Sequence, residues 1–429
     1  MRNITKFLIN KETWVASGFF TLSLTLFLMP FPRSWSLYTL GVFLFFGFLL
    51  WISDFLKHKD LFRQKWPIIL APVCYFLLHV IYFMFDPKWI YLEEKLMFFL
   101  VPVLGLPVFV SDYFSKNLSI LLKSFIYGIL LICLFLFLRA TWESISFADG
   151  VFNFEPLTDK NVSRYNWEQF SIFEHPTYLT IKVLWTICLL VFTGSSLSIS
   201  EKMRLLLMLY LSILVFLLSS RAGIMILSII LIYFIYTCLK KIRRRLLLLL
   251  IIPLILFAAY KITTLNRRMN RMLAETIERS AIEKTGIKGL DPRTKSWFSA
   301  MNLIKEKPLF GVGLDARNIL AAEYTRQGYK TEAELRLNAH NQFLETQLTF
   351  GVFGSLILFW MLGIIFMKRK ESWGSELIYS FLIIVIISMF FESILVRQWG
   401  IMFFILFYCF LTMSNVKPDL SSGSSWYFK

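Results

Sequence analysis

The chain has 429 residues, 57% of them hydrophobic and 17% charged, with a mean hydropathy of +0.63. That balance excludes an ordinary soluble domain and indicates a polytopic helical membrane protein. The net charge of +17 points to anionic partners, but the cations are dispersed among apolar runs; nucleic-acid binding is therefore not expected, and the charge is first a topology signal.

The apolar runs are continuous and about 17 to 22 residues long, which suits membrane helices rather than barrel strands. They predict an all-α fold of about twelve transmembrane helices. Spans 1–5 lie within residues 1–139, at 13–30, 36–53, 67–85, 95–111 and 119–138. The first run reaches Pro30 with no small-residue cleavage site and reads as a retained span. Residues 140–176 form an outer loop, and spans 6–9 follow within 177–262, at 177–194, 204–219, 222–239 and 246–262. A second outer loop, 263–342, is long, Arg-rich and partly helical. Its stretch 270–282 puts Met272, Leu273, Ile277 and Ile282 on one side, and 293–304 does the same with Trp297, Ala300, Met301 and Ile304. Pro308-Leu309-Phe310-Gly311-Val312-Gly313 reads as a turn whose glycines let backbone approach a ligand. Spans 10–12 lie within 343–414, at 343–366, 375–395 and 400–414, and a tail covers 415–429. The cysteines Cys74, Cys133, Cys188, Cys238 and Cys409 all sit inside apolar runs, without disulfide or metal spacing.

Charge sets the orientation. With the N-terminus in the cytoplasm, the cytoplasmic connections hold Lys57, Lys59, Arg63 and Lys65, then Lys240, Lys241, Arg243, Arg244 and Arg245, then Lys368, Arg369 and Lys370. The opposite short loops hold isolated cations, Arg33, Lys88, Arg221 and Arg397. This asymmetry predicts both termini in the cytoplasm and both long loops outside.

Few residues offer chemistry. His340, at the mouth of span 10 beside the cationic loop, is the candidate for proton transfer, because imidazole is the side chain that ordinarily titrates near neutral pH. Asn341 is placed to orient it or to bind sugar, and Glu345 lies one helical turn further on. Arg221 follows Ser219-Ser220 and precedes Ala222-Gly223 between two spans. An arginine there can simply snorkel; equally, small neighbours leave room for a ligand whose phosphate oxygens it would bind in bidentate fashion. Arg293 follows Pro292, a residue suited to a first helical turn, so guanidinium and helix N–H groups can face one anion. The plain alternative is a solvated loop arginine; for Arg267, Arg268, Arg271, Arg317, Arg326 and Arg336 the expectation is solvation or contact with lipid headgroups, with a place for one or two of them along a substrate groove left open. His175, with Pro176 and Tyr178 at the other loop-to-span junction, is a structural element of the outer vestibule or a substrate contact. His58 and His79 read as structural. No Walker A sequence, His-Glu-x-x-His zinc site, Gly-x-Ser-x-Gly elbow or acidic metal pair is present, so no cofactor is expected. A transporter of anionic or lipid-linked substrates stays open as a different class; the repeated halves and broken helices common to transporters are not visible in the sequence.

In order and spacing, Ser219-Ser220-Arg221-Ala222-Gly223, Arg293-x-x-x-Trp297-x-x-Ala300, Pro308-Leu309-Phe310-Gly311-Val312-Gly313 and His340-Asn341-Gln342-Phe343-Leu344-Glu345 resemble the O-antigen ligase and polymerase superfamily. The resemblance implies a multi-pass protein of the bacterial inner membrane, working on the periplasmic side without metal. It would transfer a glycan from undecaprenyl diphosphate to a lipid A–core sugar (a ligase) or to a growing chain on a second carrier lipid (a polymerase). Carried over by motif, His340 would deprotonate the acceptor hydroxyl, and Arg221 and Arg293 would hold the diphosphate. The earlier loop contains one arginine, Arg164, and the resemblance associates a single dominant late loop with ligases.

Overall fold

The computed structural model describes residues 11–85, 87, 90–148, 151–158, 163–165, 167–193, 197, 199–218, 220–238, 291–370 and 375–414. The predicted span 246–262, the predicted helix 270–282 and the tail 415–429 lie outside the described residues. The main helices are α1 (Lys11–Leu28), α2 (Arg33–Ser53), α3 (Phe55–Phe85), α4 (Met97–Leu104), α5 (Leu118–Glu143), α6 (Pro176–Phe192), α7 (Glu201–Leu217), α8 (Arg221–Cys238), α9 (Pro292–Glu306), α10 (Ala316–Arg326), α11 (Lys330–Glu334), α12 (Gln342–Met367), α13 (Ser375–Phe391) and α14 (Gln398–Met413). Among the described residues four of them, α2, α3, α5 and α12, are long and apolar enough to cross a membrane. Four shorter apolar helices are Pro176–Phe192, Ala222–Phe234, Ser375–Phe391 and Gln398–Met413. The chain is thus helical and of membrane type.

Several expectations need amending. The predicted span 95–111 is not one helix: a 3-10 turn at Glu94–Leu96 leads into α4, which gives way at Gly105 to the short helix Leu106–Phe109. Pro102 and Pro107 each lack the N–H that would extend the ladder. The expected connection between spans 2 and 3 is largely helical, because α3 already begins at Phe55. The outer loop 140–176 adds a strand pair to an otherwise helical fold: β1 (Ile145–Ala148) and β2 (Val151–Phe154) pair antiparallel, with Ile145 opposite Phe154 and Ala148 opposite Val151. The dipeptide between them in sequence, Asp149-Gly150, is one that favours tight hairpins.

The chain divides into two compact units. One comprises Met1–Met29, Ser34–Leu121 and Leu290–Pro418; the other comprises Pro30–Arg33, Leu122–Gly289 and Asp419–Lys429. In the first, α12 packs on α3 through Phe350, whose ring lies 6.0, 4.5 and 5.2 Å from those of Tyr75, His79 and Tyr82. His79 is structural as expected, with Nδ1 2.8 Å from Tyr75 O. Phe109, Phe114 and Phe410 pack edge to face beneath, and Tyr408 donates to Ile68 O at 2.7 Å. In the second unit, α6 is buried on every side from Pro176 to Val191. It includes Lys182, paired at 2.6 Å with Glu174, both side chains 1% exposed.

α12 is a broken helix, against the expectation from sequence. Gly351 has φ 64° and ψ −154°, so the helical ladder is interrupted there. The freed backbone groups are satisfied by the Pro308–Gly313 turn. Val312 N donates to Leu348 O at 2.7 Å, Gly313 N to Thr349 O at 3.0 Å, and Val352 N to Pro308 O at 3.1 Å. A Cβ on Gly311 would meet Leu348 O at 2.5 Å, and one on Gly351 would meet Leu309 O at 2.1 Å. The glycine of this turn therefore serves a backbone-to-backbone docking onto a broken membrane helix rather than a ligand.

Candidate active site

The described part of the late loop is a small helical layer rather than an irregular insert. Ala300, Leu303, Ala316, Leu320, Tyr324, Tyr329 and Ala339 bury one another and Leu348 of α12. α9 matches its prediction in extent and in part of its face, since Ala300 is buried and Ile304 packs against the same core. Ser296, Ser299, Ala300 and Leu303 point inward, while Met301 is exposed. The serines tolerate burial because each has an acceptor: Ser296 Oγ donates to Pro292 O at 2.9 Å, and Ser299 Oγ to Gln327 Oε1 at 2.7 Å. Arg293 sits in the first turn of α9 as expected; Asp291, a carboxylate, occupies the N-cap position of the same turn. Arg317 and Arg326 are engaged within the layer, by Arg336 O at 2.7 Å and by Glu323 at 2.6 Å.

His340 lies where this layer meets α12. Its φ is +45°, left-handed backbone that an L-residue adopts only under constraint. The constraint is visible. His340 N donates to Asn338 Oδ1 at 3.1 Å, and Ala339 N donates to Glu345 Oε2 at 3.0 Å. Asn341 is the N-cap of α12, its Oδ1 accepting from Phe343 N at 2.9 Å and Leu344 N at 3.1 Å. Asn341 and Glu345 are thus buried parts of the turn that presents His340, and each already carries a hydrogen bond. The His340 side chain remains 26% exposed. Its Nδ1 stands 3.3 Å from the carboxylate of Glu392, a residue that sequence reasoning passed over. The signal was available: a carboxylate inside the predicted span 375–395 is costly unless it has a task.

Residues 206–359 match the family model described as O-antigen ligase. The match supports the O-antigen ligase superfamily for this chain. Members of this superfamily are glycosyltransferase-like ligases and polymerases that act on lipid-linked glycans. No curated protein matches the chain. The matched stretch contains Arg221, Arg293, the 308–313 turn and His340 with Asn341 and Glu345; Glu392, His175 and Tyr178 lie outside it.

Arg221, His175 and Tyr178 belong to the second unit. Arg221 is the first residue of α8, behind Ser220, whose Oγ caps the helix by accepting from Gly223 N at 3.2 Å. The small neighbours of Arg221 have structural employment. A Cβ on Gly223 would lie 2.3 Å from Thr180 Cγ2, so Gly223 admits α6 rather than a ligand. His175 is the N-cap of α6, its Nδ1 accepting from Thr177 N at 3.4 Å, with Pro176 in the first turn as expected. Its ring packs edge to face on Trp167 and Tyr178. Tyr178 is 3% exposed.

Proposed function

We propose that this protein is an O-antigen ligase of the bacterial inner membrane, transferring a glycan from undecaprenyl diphosphate to a sugar hydroxyl of lipid A–core on the periplasmic face. The observation that carries the reading is His340: a partly exposed imidazole held in left-handed backbone at the N-terminus of a membrane-length helix, inside the stretch that matches the O-antigen ligase family. His340 takes the proton of the acceptor hydroxyl. The hydroxyl oxygen forms the new bond to the anomeric carbon, the bond from that carbon to the diphosphate oxygen breaks, and undecaprenyl diphosphate leaves. Arg221 and Arg293 stabilise the diphosphate as its charge grows. A diphosphate is already a good leaving group, so positioning and charge stabilisation supply most of the acceleration and no metal is needed. Direct displacement inverts the anomeric centre. The charge asymmetry of the connections supports cytoplasmic termini and a periplasmic site.

The test is transfer by purified protein from an undecaprenyl-diphosphate glycan, with EDTA present and lipid A–core present or absent. Product on lipid A–core that falls at least ~100-fold in His340→Ala supports the ligase. Longer chains on the carrier lipid without added acceptor would make the protein a polymerase of the same superfamily. Carrier-lipid binding without any transfer would move it to a flippase or transporter. Dependence on added metal, or retention of the donor's anomeric configuration, would overturn the mechanism.

A further inference from the structure

α13 ends at Phe391 and α14 begins at Gln398. The residues between them turn within the packed interior, where Glu392, Ser393, Ile394 and Leu395 are buried. Backbone that leaves a helix at this depth needs partners for its polar groups. Two side chains from elsewhere in the first unit provide them. Lys95 Nζ donates to Leu395 O at 2.5 Å and to Val396 O at 2.9 Å. Gln342, the first residue of α12, accepts from Leu395 N at 2.6 Å through Oε1 and donates through Nε2 to Thr346 Oγ1 at 2.9 Å. The turn between α13 and α14 is thereby tied to the same helix end that presents His340.

This tied turn holds Glu392 against the imidazole. Glu392 is 6% exposed, and its Oε2 and Oε1 both lie 3.3 Å from His340 Nδ1. Oε1 also accepts from Ser393 N at 3.3 Å. An ionised carboxylate can only accept, so the nitrogen facing it must carry the hydrogen. Neutral imidazole has one N–H, and placing it on Nδ1 leaves Nε2 as the lone pair. A carboxylate behind the base also favours the imidazolium formed once a hydroxyl proton has been taken.

We propose that Glu392 is a positioning residue for His340: it holds Nδ1–H, leaves Nε2 as the proton acceptor toward substrate, and is itself set by the Lys95- and Gln342-tied turn between α13 and α14. The proposal rests on the reading of His340 as the base. It reaches beyond the 206–359 match, since both Glu392 and Lys95 lie outside it.

Glu392→Gln tests it with little change of shape. In that variant the amide oxygen stays on Ser393 N, and the NH2 group turns to His340 Nδ1. The hydrogen must then move to Nε2, the wrong nitrogen. The full-length protein, labelled with 15N-histidine, is compared with Glu392→Gln and Glu392→Asp above the pH at which imidazole is protonated; the His340 signals are assigned by difference from His340→Ala. Wild type is expected as the Nδ1–H tautomer and Glu392→Gln as the Nε2–H tautomer. In the transfer assay Glu392→Gln is expected to lose on the order of 10²-fold or more in kcat, with KM within about threefold. Glu392→Asp should recover part of the rate. The other charges near this site, Glu345 with Lys95 and Arg317 around it, are unchanged in both variants. A Glu392→Gln protein with wild-type melting and an unchanged tautomer overturns the proposal, and so does kcat within threefold of wild type. Full turnover in His340→Ala overturns the base reading itself. Lost turnover in His340→Ala with normal kcat in Glu392→Gln overturns the positioning role alone.

Discussion

Replacing Gly351 by alanine isolates the docking of the Pro308–Gly313 turn onto the break in α12. Alanine must adopt φ 64° with ψ −154°, a region essentially confined to glycine that costs an L-residue on the order of 1–3 kcal/mol. Its Cβ would also lie 2.1 Å from Leu309 O, 2.3 Å from Leu309 C and 2.6 Å from Phe310 N. These are backbone atoms, so no rotamer relieves the overlap and the turn must withdraw. Withdrawal loses the bonds from Val312 N to Leu348 O, Gly313 N to Thr349 O and Val352 N to Pro308 O. At roughly 1 kcal/mol net for each, the total reaches about 4–6 kcal/mol. The control is Gly363→Ala on the same helix, where an added Cβ meets nothing within 4 Å and alanine is the better helix former. Thermal unfolding in detergent, read by a thiol dye on the buried free cysteines Cys133, Cys188 and Cys409, compares the two. Gly351→Ala should melt about 5–10 °C lower, and Gly363→Ala at or slightly above wild type. Melting of Gly351→Ala within about 2 °C of Gly363→Ala would falsify the docking argument.

Two further perturbations probe other parts of the fold. Lys182→Met strips Glu174 of its buried partner and should cost about 3–5 kcal/mol, whereas Lys182→Met with Glu174→Gln should cost clearly less; equal losses on melting would count against a coupled pair. Hydrogen bonds from Arg326, then from Gln327, hold the Glu323 carboxyl below its ordinary value of 4.5, against the opposing effect of burial. Its contribution to α10 is therefore complete above about pH 4.5 and disappears as the pH falls through the lowered value. Amide exchange across Ala316–Arg326, corrected for intrinsic rates, should speed up as the pH falls below about 4.5 in wild type and show no such step in Glu323→Gln; parallel profiles would refute the linkage.

The parts of the candidate site that were legible in sequence are those governed by neighbours along the chain. Pro292 opens α9 and Pro176 opens α6 because proline suits a first turn. Asn341, read from sequence as orienting His340 or binding sugar, caps α12 in the structure, where its side chain accepts from the first free N–H groups. His340 was singled out because it is a titratable group at the end of a membrane helix. Its partner was not, since Glu392 lies 52 residues away and meets it only through the packing of separate helices. The glycines show the same boundary. Gly223 and Gly311 marked close approach, but sequence cannot say what approaches; it is Thr180 in one case and the broken turn of α12 in the other.

By itself, the sequence determined that this is a helical protein of membrane type and where several of its helices begin, and it singled out His340 as the candidate base. Apolar runs and caps act within a few residues, so their consequences are written locally. Tertiary structure decided the rest: that α12 breaks at Gly351, that Ser296 and Ser299 can be buried, and that Lys95 and Gln342 tie the turn bearing Glu392. Each of these leaves backbone or side-chain polar groups in need of partners inside an apolar interior, and only distant segments brought together by folding can satisfy them.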